Sequence, residues 1–201
     1  MIWLVRHGET EMNRQGRFQG RLDAPLTELG EAHALKVGAH LRALMQTEGG
    51  AWSLDASPLG RTRRTAALIA EQTGLEVRRF DDRLAEVDFG DWEGLDRDGI
   101  VALRPDLAGF TKFFLRNPNG ETHAQLSQRV RSWMDEALAT PDQRIAVSHA
   151  GVGRMMRGLV LGLAVEELRE LDTPHDVIFR IGEGRVDRFE CAPLPSAGVG
   201  R

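Results

Sequence analysis

Ile2-Trp3-Leu4-Val5-Arg6-His7-Gly8-Glu9-Thr10 is the stretch from which the rest of this chain can be read. The four apolar residues form a short strand that suits burial on both faces. Their strand stops on an arginine, a histidine and a glycine. These supply a fixed positive charge, a potential nucleophile and a backbone that a ligand can approach closely. Those parts suit the handling of a phosphoryl group. They need partners from elsewhere in the chain.

The chain has 201 residues, 41% hydrophobic and 28% charged, enough for one well-filled domain. We expect a single domain over residues 1–191, with 192–201 as a flexible tail. The net charge of -4 argues against a nucleic-acid partner. An acidic chain that binds an anion must gather its cations locally, and Arg61, Arg63 and Arg64 are gathered. The only cysteine is Cys191, so no internal disulfide can form, which suits a reducing compartment. Arg6 cuts the first apolar run too early for a signal-peptide core. Arg154 and Arg157 interrupt the apolar segment 151–165, so no membrane span is expected. The expected location is the cytoplasm, without a membrane partner.

Working outward, residues 8–25 read as a loop rich in glycine and charge. Thr27 can cap a helix whose core stripe is Ala34, Val37, Leu41 and Leu44. A strand at 53–57 leads through Pro58 into a helix that reaches Gln72 and stops at Gly74. A strand at 76–80 precedes an acidic, aromatic loop at 84–93. Leu126, Val130, Trp133, Met134, Ala137 and Leu138 form another helical stripe, ended by Thr140-Pro141. A buried strand at 144–148 is followed by a helix after Gly151. Segments 175–181 and 185–190 close the chain as a hairpin through Gly182-Glu183-Gly184. Strands alternating with helices imply an α/β three-layer sandwich with a mostly parallel central sheet. Ligands in such folds bind beyond the carboxyl ends of the strands. Three strand ends then carry His7, Arg61 (just past Ser57) and His149 toward one edge.

Two histidines and two arginines at one edge suggest covalent phosphoryl transfer. A neutral imidazole can attack phosphorus while guanidinium groups hold the non-bridging oxygens. The leaving alkoxide needs a proton. A carboxyl group in a partly desolvated loop suits that task, because burial favours its neutral form. Glu86, Asp88, Asp91 and Glu93 are the candidates. A metal held by His7, His149 and Glu86 would be crowded by the charges of Arg6 and Arg61, so neither a metal nor another cofactor is expected.

The motifs together resemble the histidine phosphatase superfamily, the phosphoglycerate-mutase-like proteins. Arg6-His7-Gly8-Glu9-Thr10 is similar to its signature. Asn13, Arg17-Phe18-Gln19-Gly20 and Asp23-Ala24-Pro25-Leu26-Thr27-Glu28-Leu29-Gly30 resemble the loop into its first helix. Ser57-Pro58-Leu59-Gly60-Arg61-Thr62-Arg63-Arg64-Thr65-Ala66 resembles its second motif, with Thr62 for the commoner Ala and Arg64 for the commoner Gln. The stretch from Leu84 to Gly94 resembles its acid loop. Gly120-Glu121-Thr122 and Val147-Ser148-His149-Ala150-Gly151 resemble the last two elements. The resemblance implies that His7 is the nucleophile and that Arg6, Arg61 and His149 form the phosphate pocket. It implies polar contacts from Asn13 and Gln19, with Gly20 and Ala150 beside them, and Glu86 as general acid. Arg64, Glu121 and His123 are further candidates for the rim. His33, His40 and His175 are expected at surface or structural positions, and Trp92 and Trp133 in the core.

The family's mutases carry a long basic and aromatic insertion before the Gly-Glu-Ser element. Here the interval 95–119 is short, has few cations (Arg97, Arg104, Lys112 and Arg116), and the chain lacks tyrosine. The reading is therefore a phosphatase of small phosphomonoesters. The alternatives are a cofactor-dependent phosphoglycerate mutase and a catalytically silent phosphate-binding module. A monomer or a homodimer formed on the hairpin edge is compatible with the sequence.

Overall fold

Strand β1 (Ile2–Arg6) lies inside the sheet, flanked on both sides by strands from the far end of the chain. The computed structural model describes residues 1–108 and 117–191. Its sheet has six strands in the order β3-β2-β4-β1-β5-β6. These are β2 (Trp52–Ala56), β3 (Val77–Phe80), β4 (Gln143–Ser148), β5 (Val177–Gly182) and β6 (Arg185–Glu190). β1 pairs with β4, β4 with β2, and β2 with β3, all parallel, whereas β5 and β6 run antiparallel. The sheet is mostly parallel and the class is α/β, as the alternation of elements predicts.

Side chains along a strand alternate between faces, and this divides the core in two. Trp3 and Val5 of β1 join Ile145 and Val147 of β4 on one face. They pack there against Val37 and Leu41 of α2 (Glu28–Glu48) and Ala66 and Ile69 of α3 (Gly60–Thr73). Ile2 and Leu4 point the other way. They meet Leu126, Val130 and Trp133 of α5 (His123–Leu138) and Val152 and Met156 of α6 (Ala150–Leu161). Leu84, Val87, Phe89 and Trp92 of the acidic loop join this second core. Apolar anchoring thus fixes a loop that also carries carboxylates.

Boundaries move by small steps. β2 starts at Trp52, because Trp52 pairs with Gln143. The helix expected after Gly151 starts at Ala150, with His149 as its extended N-cap residue. The loop at 8–25 contains a one-turn helix, α1 (Glu11–Arg14), closed by reciprocal bonds between Thr10 and Asn13. α4 (Arg97–Leu103) is capped by Asp96, and α7 (Val165–Leu168) has a single turn. Such short helices make too few turns to leave a hydrophobic period. The acidic loop contains two 3-10 turns, Asp82–Leu84 and Gly90–Trp92. The tail expected at 192–201, and Lys112 and Arg116 in the interval before Asn119, lie outside the described residues. Among the described residues no helix is long and apolar enough to cross a membrane.

Candidate active site

The parallel strands β1, β2 and β4 end together, and His7 follows β1 directly. Its backbone N–H donates to Ser148 O at 3.0 Å, which extends the β1–β4 ladder one step past the strand. The His7 ring is buried, and its Nδ1 lies 2.8 Å from Gly8 O. A carbonyl can only accept, so Nδ1 carries the hydrogen and Nε2 of the neutral ring keeps its lone pair. Arg61 Nε donates to that Nε2 at 3.3 Å. Burial, then the charges of Arg61 and Arg6, hold the imidazole well below the ordinary histidine range. The ring is neutral at physiological pH, as a nucleophile must be.

Gly8 shows why the signature needs a glycine. A Cβ there would stand 2.1 Å from Gly30 O, and a Cβ at Gly30 would stand 2.0 Å from Glu9 O. The strand-end loop crosses the first turn of α2 in direct backbone contact. Thr27 tightens this crossing. Its hydroxyl accepts from Gly30 N at 3.0 Å and donates to Glu9 Oε1 at 2.8 Å.

Arg61 projects from the first turn of α3 and is 2% exposed. It donates to Gly20 O at 2.8 Å, Leu22 O at 2.7 Å and Asp23 Oδ1 at 3.2 Å. It therefore ties the loop 20–23 against the nucleophile. Arg6 donates through Nη1 to Thr173 O, while its buried Nε has no protein partner. Burial lowers the Arg6 guanidinium to about 10, so it stays charged at neutral pH. His149 Nε2 lies 2.7 Å from Ser57 Oγ, and its buried Nδ1 has no protein partner. The His149 ring meets the His7 ring edge-on at 5.1 Å. Burial, reinforced by Arg61 and His7, holds it well below the ordinary range too.

A cavity of about 290 Å³ opens over His7. Arg6, Asn13, Gln19, Gly20, Arg61, Glu86 and Ala150 line it, which brings most of the sequence candidates together. His149 stands behind Arg6, lining a small void next to the main cavity. Asn13 Oδ1 is engaged by the Thr10 N–H and hydroxyl, both at 3.1 Å, which leaves its amide N–H groups to serve the cavity. Gln19 Oε1 is buried without a protein partner.

The acid candidates separate clearly. Glu86 is 6% exposed and accepts from Val87 N at 2.9 Å and Gly151 N at 3.1 Å, at the start of α6. Glu93 accepts instead from Arg21 N, Leu22 N and Phe89 N, joining the loop 20–23 to the acid loop. Asp88 caps Gly90 N at 2.8 Å, and Asp91 accepts from Asn119. Glu86 alone of the four lines the cavity.

The three rim candidates lie elsewhere. Arg64 pairs with Glu31 at 2.7 Å on the exposed side of α3. Glu121 pairs with Arg129 at 2.5 Å, and Arg129 donates onward to Arg83 O and Glu86 O. Glu121 thus supports the acid loop from behind. His123 is exposed at the first position of α5. None of these three lines the cavity over His7.

One residue and one contact were not anticipated here. Arg154, one turn beyond Ala150, lines the cavity and donates to Leu171 O at 3.0 Å. The i, i+4 spacing from Ala150 was the available signal. His175, expected at a surface or structural position, places Nδ1 2.6 Å from His7 O. Among the described residues no group of three or more His, Cys, Asp or Glu side chains is arranged to hold a metal ion.

A family model described as histidine phosphatase superfamily (branch 1) matches residues 2–187. The chain belongs to the histidine phosphatase superfamily. Among superfamily relatives, it is 35% identical over 188 residues to a probable phosphoglycerate mutase GpmB of Salmonella arizonae, covering 90% of this chain and 83% of that protein. A mycobacterial glucosyl-3-phosphoglycerate phosphatase, solved with VO3, superposes with a TM-score of 0.78 and 28% identity, covering 95% of this chain and 98% of the other. YhfR of Bacillus stearothermophilus shares the fold with a TM-score of 0.79 at 24% identity, over 96% and 97% of the two chains. Superfamily membership makes the chain an enzyme of the phosphohydrolase type.

Proposed function

We propose that this chain is a metal-independent phosphomonoesterase of small phosphorylated metabolites. It works through a phosphohistidine on His7, with Glu86 as general acid and then base. The observation that carries this reading is the state of His7. Its Nδ1 hydrogen is engaged by Gly8 O, so Nε2 keeps its lone pair, which accepts from Arg61 Nε until a phosphoryl oxygen takes that donor, in the cavity that Glu86 shares.

The chemistry follows from those positions. Nε2 attacks phosphorus as the bond to the leaving oxygen breaks, and the Glu86 carboxyl gives that oxygen its proton. Arg6, Arg61 and His149 stabilise the phosphoryl oxygens, with Asn13, Gln19, Gly20 and Ala150 completing the cradle. Water then enters and gives its proton to the Glu86 carboxylate. Its oxygen attacks phosphorus, the P–N bond breaks, and His7 is released neutral. Fixed arginine charges supply the electrostatic role that a cation has in other phosphatases.

Release of phosphate from p-nitrophenyl phosphate with a chelator present tests the reading directly. Turnover that persists with the chelator and vanishes in His7→Ala is expected. Loss of turnover on chelation would refute the metal-free scheme. The mutase reading draws support from the relative named a probable phosphoglycerate mutase. Faster conversion of 3-phosphoglycerate to its 2-isomer than to free phosphate would establish it. A panel of sugar phosphates, phosphoglycerates and glucosyl-3-phosphoglycerate would identify the preferred ester.

A further inference from the structure

Three connections from outside the motifs converge on β1's end, and all come from residues 173–176. Thr173 O accepts Arg6 Nη1. His175 Nδ1 bonds His7 O at 2.6 Å. Because His7 O is a carbonyl, His175 must hold its hydrogen on Nδ1. The His175 ring also lies 5.8 Å from the His7 ring, so two imidazoles, those of His149 and His175, neighbour the nucleophile.

The segment is itself held from α2. His33 stacks on His175 with ring centroids 5.6 Å apart and planes within 4°. One turn on, Lys36 Nζ pairs with Asp176 Oδ2 at 2.8 Å. Burial and the nearby Arg6 charge push His175 down to about 3, so it is a neutral donor across the working pH range. His7 is therefore pinned at its N–H by Ser148 O, at its C=O by His175, and one residue on by Thr65 Oγ1, which accepts from Gly8 N at 3.1 Å.

We propose that His175 is a positioning residue for the nucleophile, the inner end of a clasp at 173–176 that sets the angle at which His7 Nε2 meets phosphorus. The inference rests on the phosphohistidine reading above. In-line attack tolerates little misplacement, and an error of about 1 Å can cost about 100-fold in rate. Ser148 O and Thr65 fix the strand end and the following glycine. Only the His175 bond restrains the His7 carbonyl among the described contacts. Losing it leaves the His7–Gly8 peptide held at one end only, by Gly8 N–H on Thr65 Oγ1, so the plane can tilt and shift Gly8, whose own carbonyl orients the His7 ring.

The test compares His175→Ala and His175→Asn with the wild-type enzyme under saturating and limiting substrate. Asn keeps an N–H donor at nearly the distance of Nδ1. His175→Ala should lower kcat about 30-fold or more with KM within about threefold. His175→Asn should recover at least tenfold of that loss. Thermal melts of both variants fix a temperature at which each is folded. Folded His175→Ala with kcat within twofold of wild type overturns the proposal. So does an equal loss of kcat in folded Ala and Asn variants. A wild-type enzyme that releases no phosphate from any ester refutes the phosphatase reading instead, so the two failures are distinguishable.

Discussion

At the scale of single residues, the two carboxylates Glu86 and Glu93 make opposite predictions. Glu86→Gln removes the proposed proton donor. With an alkyl phosphate, whose leaving group is poor, kcat should fall about 100- to 10,000-fold. Phosphorylation by p-nitrophenyl phosphate, read as a burst of p-nitrophenol, should suffer much less, because its leaving group needs little protonation. Phosphorylation of His7 slowed equally for both substrates in the variant would show that the acid lies elsewhere. Glu93→Gln should spare the chemistry and weaken the fold. Its two oxygens accept from three backbone N–H groups, and an amide offers one acceptor oxygen in their place. A cost of about 1–3 kcal/mol is expected, or about 2–4 °C of melting temperature per kcal/mol for a chain of this size. The motif spacing alone favoured Glu86. What it did not contain was the reason, that Glu93 is consumed in tying two loops together. Arg154 and the contact of His175 with His7 were not read for a related cause. Their roles come from packing between elements remote in sequence, which no local pattern records.

At the scale of elements, the crossing of the 8–9 loop over α2 is the joint on which the site depends. Gly30→Ala forces a side-chain carbon into Glu9 O. Loop 8–9 must then lift, and His7 with it. Loss of at least tenfold in kcat, together with a lowered melting temperature, is expected, and a melt and activity both like wild type would refute it. The strands ending at His7, Ser57 and His149 were legible because buried apolar runs stop abruptly on polar residues. α1, α4 and α7 were not, because one or two turns carry no period. The hairpin edge considered for a homodimer is strand β6, which carries Arg185, Asp187, Arg188 and Glu190. Arg188 pairs with Asp172 and Glu190 within the chain. Charges along an edge strand oppose pairing with a second sheet.

At the scale of the whole molecule, two buried imidazoles and a half-buried third make stability sensitive to acid. His7, His149 and His175 are all held below the ordinary histidine range. The unfolded chain takes up protons on them near pH 6.5, and the folded chain does not. Protons therefore favour unfolding. Full stability is present above about pH 6.5 and is lost as pH falls, by up to about 1.4 kcal/mol per unit for each ring. Urea midpoints should be lower at pH 5.0 than at pH 7.5. Midpoints that coincide would mean that the folded rings are protonated. The nucleophile itself stays neutral in the folded enzyme, so the acid limb of kcat should show no step near 6.5. The placement of β1 between β4 and β5 has a last consequence, for synthesis. The nucleophile's strand is made before α2, β2, α3 and α5, but both of its partners are made after them. An apolar strand must wait, unpaired, while the elements from α2 to α5 are made. A nascent chain halted before β4 carries His7 and lacks the ladder that orients it. Catalysis begins only once β4 and β5 have been made and paired with β1.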